Sequence, residues 1–210
     1  MDQQPPRITG LDPDPRHPSA VRVEIDGGRF GTIPQTVAVA EGLALGREID
    51  AAVQERLGVA ADGEAAFRTL LRALEVRSFA SRDLARRLQR KGHPRPAVDS
   101  AVARAAELGL LDDRSFAKSY VETRAARGRG PSRLVRDLLA MGVERSVIEG
   151  AIADHWPEGH DQAVPLALAR KRAAQLGTLP RQTKRRRIVA YLARRGYSGR
   201  DITELVDKVV

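Results

Sequence analysis

The sequence predicts a mainly α-helical protein, a tandem, elongated and curved array of three three-helix repeats, preceded by a small N-terminal β-hairpin and short helices. Three observations carry this. Gly92, Gly142 and Gly196 stand 50 and 54 residues apart, and the apolar residues around them fall into register. Leu84, Leu134 and Ile188 lie eight residues before the glycines, and Leu88, Leu138 and Leu192 lie four before. Val98, Ile148 and Ile202 lie six after, and Val102, Ile152 and Val206 ten after. Such self-similarity at a nearly fixed period marks stacked supersecondary units. Second, apolar spacing from about residue 62 onward follows the helical period. Third, aromatics make up only 4% of the chain, so the core is built from Leu, Val, Ile and Ala, which suits packed helices.

Residues 1–20 contain Pro5, Pro6, Pro13, Pro15 and Pro18 without periodicity and are expected as a flexible arm. Residues 21–61 form the N-terminal extension. Val21, Val23 and Ile25 alternate with Arg22 and Glu24 before Asp26-Gly27-Gly28 and Phe30 to Ile33, the pattern of a β-hairpin with a primed turn. Val37 to Leu45 offers an apolar cover, and Arg47 to Leu57 reads as a helix with Ile49, Val53 and Leu57 on one face. Repeat one, residues 62–110, starts with a helix from Glu64 to Val76. Ser81 is placed to N-cap its second helix, which stops at Gly92, a C′ glycine. Pro94 and Pro96 open the third, Ala97 to Leu108. Repeat two, residues 111–158, starts at Asp112-Asp113, a natural N-cap, and breaks at Gly128-Arg129-Gly130. Pro131 then opens a helix ending at Met141-Gly142, and Glu144 to His155 completes the unit. Repeat three, residues 159–210, takes Asp161 to Leu176 and Gln182 to Arg195. A last helix starts from Ser198 with Asp201 in a capping-box position.

Residues 1–62 carry 6 Arg/Lys against 10 Asp/Glu, and residues 63–210 carry 30 against 17. The repeat region is a basic body suited to polyanions or an acidic protein groove. The chain has no cysteine, which excludes disulfides and thiolate metal sites. It has no apolar run of membrane-spanning length, and Met1-Asp2-Gln3-Gln4-Pro5 lacks a secretory signal pattern. A cytoplasmic monomer without membrane attachment is expected.

Catalytic constellations are missing, so no catalytic, metal or cofactor residue is assigned. Gly27, Gly28 and Gly31 precede a strand, whereas a dinucleotide loop opens a helix. Arg127 to Ser132 reads either as a phosphate cradle at a helix N-terminus or as a plain turn with Pro at N1, and the turn is preferred. Asp154, His155, Glu158, His160 and Asp161 sit in a loop without convergent partners and do not make a metal site. The recurring signal is basic. Arg86, Arg90 and Lys91 in repeat one, Arg133 and Arg136 in repeat two, and Lys184 and Arg187 in repeat three are the expected contacts to acidic groups or phosphates of a partner. Tyr191 and Tyr197 either stack on bases or pack in the core.

Several spaced motifs together resemble the RecX family. They are Ser81-Arg82-Asp83-Leu84 through Lys91-Gly92, Leu110-Leu111-Asp112-Asp113 with Phe116-Ala117 and Tyr120-Val121, and Gly130-Pro131 with Leu138 and Gly142. The resemblance covers residues 63–210, and the head looks like the N-terminal extension of some members. It implies a non-enzymatic regulator of the RecA recombinase in DNA repair, recombination and the SOS response. Such a protein lies in the groove of the RecA–DNA filament and suppresses ATP hydrolysis, strand exchange and filament growth, with direct contact to single- or double-stranded DNA in some members. The alternative is a sequence-tolerant DNA-binding protein acting without a recombinase.

Overall fold

The computed structural model of the chain describes residues 5–157 and 162–210. They fall into two compact units, the first comprising residues up to Phe79 with Asp83–Leu111, the second Ala80–Arg82 with Asp112–Val210.

The first unit opens with an antiparallel sheet of β1 (Ile8–Asp14), β2 (His17–Ile25) and β3 (Gly28–Pro34), in that spatial order. The expected hairpin is β2–β3, with Asp26 and Gly27 both at positive φ (50° and 75°) in the turn, as a primed turn requires. The flexible arm is corrected for residues 8–20, which are paired strand and turn; residues 1–4 lie outside the described residues. Prolines hid this strand, yet β1 is an edge, where a missing N–H is tolerated. Ile8 is fully buried, and the Asp14 carboxylate accepts the N–H groups of Arg16 and His17 to close the turn into β2.

After α1 (Gln35–Ala40) comes α2, a single helix over Ala51–Leu74 capped by Asp50, whose carboxylate accepts the Val53 N–H at 2.7 Å. Two helices were expected, ending at Leu57 and starting at Glu64. Gly58 and Gly63 do not break the helix, because both of its halves are held by burial. Val53 and Leu57 join Ile8, Val23 and Ile33 under the sheet, while Ala66, Phe67 and Leu70 join the core of repeat one. That core also takes in α3 (Ser81–Arg90), which ends at Gly92, and α4 (Arg95–Glu107).

The second unit holds α5 (Asp113–Ala125), α6 (Pro131–Met141), α7 (Arg145–His155), α8 (Ala163–Gln175), α9 (Arg181–Arg195) and α10 (Arg200–Asp207). Gly142 and Gly196 are left-handed C-caps at φ 86° and 95°, which glycine adopts without a Cβ penalty. Ser198 does not cap α10. Gly199 is its N-cap, without a side-chain hydrogen bond. The register of the three repeats holds in space, for Leu84, Leu88, Leu134, Leu138, Ile188 and Leu192 are all fully buried, in three separate cores. Truncating any of them to Ala would cost about 2–5 kcal/mol.

Candidate functional site

Within the second unit the first turn of α6 abuts the last turn of α9. The Gly130 N–H donates to the Arg195 carbonyl at 2.7 Å and the Ser132 N–H to the Gly196 carbonyl at 3.2 Å. These are N–H groups a helix start leaves unpaired and carbonyls a helix end leaves unpaired, so each end satisfies the other. The approach is close. A methyl group on Gly130 would lie 2.6 Å from the Gly196 carbonyl, and one on Gly196 2.8 Å from the Gly130 oxygen. The Arg195 guanidinium also donates to the carbonyls of Arg127 and Gly128, both at 3.3 Å, and rests over the Tyr191 ring at 5.0 Å. The Gly128–Pro131 loop is therefore a junction between repeats two and three. Its N–H groups are already spent on carbonyls, which removes the phosphate-cradle reading.

Gly142 has a related neighbour. A methyl there would meet the Arg82 side chain at 2.7 Å. The Ser81 N–H and hydroxyl donate to the Asp113 carboxylate at 2.8 and 3.0 Å. The acceptor at the start of α3 is thus Asp113, and the Ser81 hydroxyl is a donor, not the expected cap. Asp112 caps its own helix, accepting from the N–H groups of Arg114 and Ser115 and from the Ser115 hydroxyl at 2.6 Å. That hydroxyl, with the Ser115 N–H, holds the Asp112 carboxyl below its ordinary range.

The expected contact residues separate into engaged and open groups. Arg86 reaches Asp83 at 3.5 Å, one turn back. Arg133 is paired with Asp137 at 2.9 Å, and the Arg136 Nε donates to the Ser132 carbonyl at 3.2 Å. Asp137 also receives Arg129, and the Tyr120 hydroxyl lies 3.4 Å from it. Burial first, and then the Asp137 charge, pushes the Tyr120 phenol up. Asp137 is a hub that sequence reasoning missed, although its place one turn after Arg133 is a readable signal. Arg90 and Lys91 are exposed at the end of α3, Arg187 is exposed on α9, and Lys184 is half-buried there. None of these four forms an ion pair among the described residues.

Charge is apportioned by repeat. Residues 62–110 hold 10 Arg/Lys against 6 Asp/Glu, residues 111–158 hold 8 against 8, and residues 159–210 hold 12 against 4. On α9, Arg185 is tied to Asp207 at 2.5 Å, whereas Lys184, Arg186, Arg187 and Arg194 form no ion pair among the described residues. Tyr197 is buried in the core of repeat three and cannot stack on a base, while Tyr191 lies half-buried between Arg172 and Arg195. Glu158, His160 and Asp161 lie outside the described residues. Among the described residues no cluster of His, Asp and Glu could hold a metal ion, and no helix is long and apolar enough to cross a membrane.

Family models of the second and third three-helix domains of RecX match residues 112–152 and 163–206. The chain is 36% identical over 130 residues to the regulatory protein RecX of Streptomyces coelicolor, covering 61% of this chain and 68% of that one. It is 37% identical over 139 residues to the regulatory protein RecX of Mycobacterium marinum, covering 65% and 79%. In fold it is similar to a crystal structure of regulatory protein RecX, with a TM-score of 0.79 over 97% of this chain and 99% of that one, at 20% identity. It is also similar to RecX from Lactobacillus salivarius, with a TM-score of 0.60 over 70% and 95%, again at 20% identity.

Proposed function

The chain belongs to the RecX family, and on that premise we propose that it binds the RecA–DNA filament and restrains ATP hydrolysis, strand exchange and extension. The mechanism is occupancy. Helical repeats laid along the filament groove contact successive protomers and deny it to the second DNA strand. Several weak contacts on one chain reinforce one another, because each later contact forms at a high effective concentration. No chemical step is required of the chain.

The observation that carries this reading is the open charge of α9. Among the described residues Lys184, Arg186, Arg187 and Arg194 form no ion pair, while in repeat two Arg129 and Arg133 share Asp137 and basic and acidic residues are equal in number. Cations left without an ion pair on a net basic repeat are positioned for acidic side chains or phosphates. Arg133 and Arg136 then act mainly within the chain, and the partner contacts fall to Arg90, Lys91, Lys184 and Arg187.

The same charge also favours the second reading, direct and sequence-tolerant binding to DNA. One experiment separates the two. The single-strand-DNA-dependent ATPase of the cognate recombinase is titrated with the chain, beside DNA-only anisotropy at two salt concentrations. Hydrolysis that falls at concentrations too low to occupy bare DNA supports the filament as target. Hydrolysis that falls only as bare DNA becomes coated supports the second reading. No effect in either assay overturns both.

A further inference from the structure

The three repeat glycines share one backbone conformation, with φ of 90°, 86° and 95° at Gly92, Gly142 and Gly196, but not one environment. Gly142 is covered by Arg82 and Gly196 by the first turn of α6. At Gly196 the two carbonyls that end the helix, those of Arg195 and Gly196, receive N–H donors from that turn. At Gly92 the space where a Cβ would stand is open, with nothing within 4 Å. No hydrogen bond from the described residues reaches the carbonyls of Lys91 or Gly92. The following residue differs in the same sense, since Val143 and Tyr197 are buried at 3% exposure, while the corresponding His93 is only half-buried.

We propose that the end of α3 at Gly92 is a docking socket for the first turn of a helix of another protein, one with a small N-cap residue and carboxylates in its first turn. The small residue follows from the filled junction, where a Cβ on Gly130 would collide with the Gly196 carbonyl. The N–H donors follow from the bare carbonyls, which attract the unpaired N–H groups of a helix start and repel phosphate. The carboxylates follow from the rim. Arg87, Arg90 and Lys91 lie on it without an ion pair among the described residues, while Arg86 is tied to Asp83 and Arg95 to Asp99. Acids in the first turn also suit the positive end of the incoming helix. A second copy of this chain is disfavoured by the net charge of +9, since two such chains repel. The inference rests on the filament reading above, which makes the filament's protein the source of the incoming helix.

The test uses the full chain and filaments of the cognate recombinase on single-stranded DNA. G92N fills the socket with a residue that tolerates the left-handed conformation, and circular dichroism melting checks that it is folded. The pair R90A/K91A removes two rim charges without touching the backbone and carries the test should G92N lower Tm. The expected result is that filament affinity falls tenfold or more in both variants while affinity for bare single-stranded DNA changes less than twofold. Filament binding unchanged by either variant overturns the socket and leaves the filament reading standing. Wild-type chain that does not bind filaments overturns that reading and the socket with it. A parallel loss on bare DNA makes the end of α3 a nucleic-acid contact, and self-association abolished by G92N makes it a contact between copies; each overturns the proposal.

Discussion

Replacing Gly130 by Ala isolates the junction between repeats two and three. Gly130 is the N-cap of α6 with φ −84° and ψ 165°, values any residue adopts, so the substitution carries no backbone strain. Its cost is steric. The new methyl would stand 2.6 Å from the carbonyl carbon and oxygen of Gly196 and 2.9 Å from the Tyr197 ring. Ordinary contact requires a retreat of about 1 Å, and the obstacle is backbone, not a flexible side-chain tip. That retreat costs about 1–3 kcal/mol in overpacking. It also stretches the hydrogen bonds from Gly130 and Ser132, each contributing about 0.5–1.5 kcal/mol. The expected loss is roughly 2–5 kcal/mol. Trp156, the only tryptophan, packs against the core of repeat two, so its emission follows urea unfolding of that repeat. A downward shift of the midpoint by about 1 M or more is expected. The control is Gly58→Ala in the interior of α2, where nothing lies within 4 Å and about 0.5–1 kcal/mol of stabilisation is expected. A Gly130→Ala midpoint equal to that of the wild type would refute the argument that close backbone approach holds the two repeats together.

Other perturbations bear on the caps and the charges. Asp113→Ala removes the acceptor for both donors of Ser81 and is expected to cost about 1–2 kcal/mol, seen as a lowered Tm; an unshifted melt would show that the contact is dispensable. The Asp112 carboxyl titrates below its unfolded value, so the stability it contributes is full above about pH 4 and is lost as pH falls through the depressed folded value. The stability gap between wild type and Asp112→Asn in urea should therefore close as pH drops from 6 toward about 3, and a gap that widens would reverse the sign argued here. For partner binding, K184A/R187A should weaken filament affinity about tenfold and flatten its salt dependence. R133A/R136A should change it about twofold or less, because those side chains are engaged internally. Anisotropy at two salt concentrations compares the pairs, and equal losses would contradict the division between engaged and open cations.

The repeat was legible because its marks are local and multiplied. A glycine that must be left-handed, with leucines four and eight residues before it, says the same thing three times. The β2–β3 turn was legible for a similar reason, since Asp26-Gly27 has few other uses between alternating apolar residues. What escaped the sequence was non-local. Nothing near Asp113 says that its carboxylate serves Ser81, thirty-two residues earlier, in place of its own helix. Nothing in Gly128-Arg129-Gly130-Pro131 says that its N–H groups face the carbonyls that end α9. The first strand was hidden by the prolines of residues 1–20, of which Pro13 is tolerated because β1 is an edge, and the length of α2 by glycines whose neighbours hold them in place. For the expected contact residues, exposure was foreseen for most, but pairing was not. Arg133 reads as a free cation until Asp137 is seen to gather Arg129, Arg133 and Tyr120.

The unbroken helix α2 also bears on how this architecture could gain or lose its head. Asp62 lies inside that helix, where aspartate is a poor helix former, yet it is followed by Gly63-Glu64 and the apolar stripe of repeat one. In a shortened chain beginning there, Asp62 would become an N-cap with an acidic first turn, a favourable helix start. Glu64 would keep Arg68 and Arg104, at 3.1 and 3.0 Å, and the bond from Arg68 to Asp14 would be forfeited. Repeat one thus carries a favourable helix start of its own, held inside a longer helix by the residues that precede it.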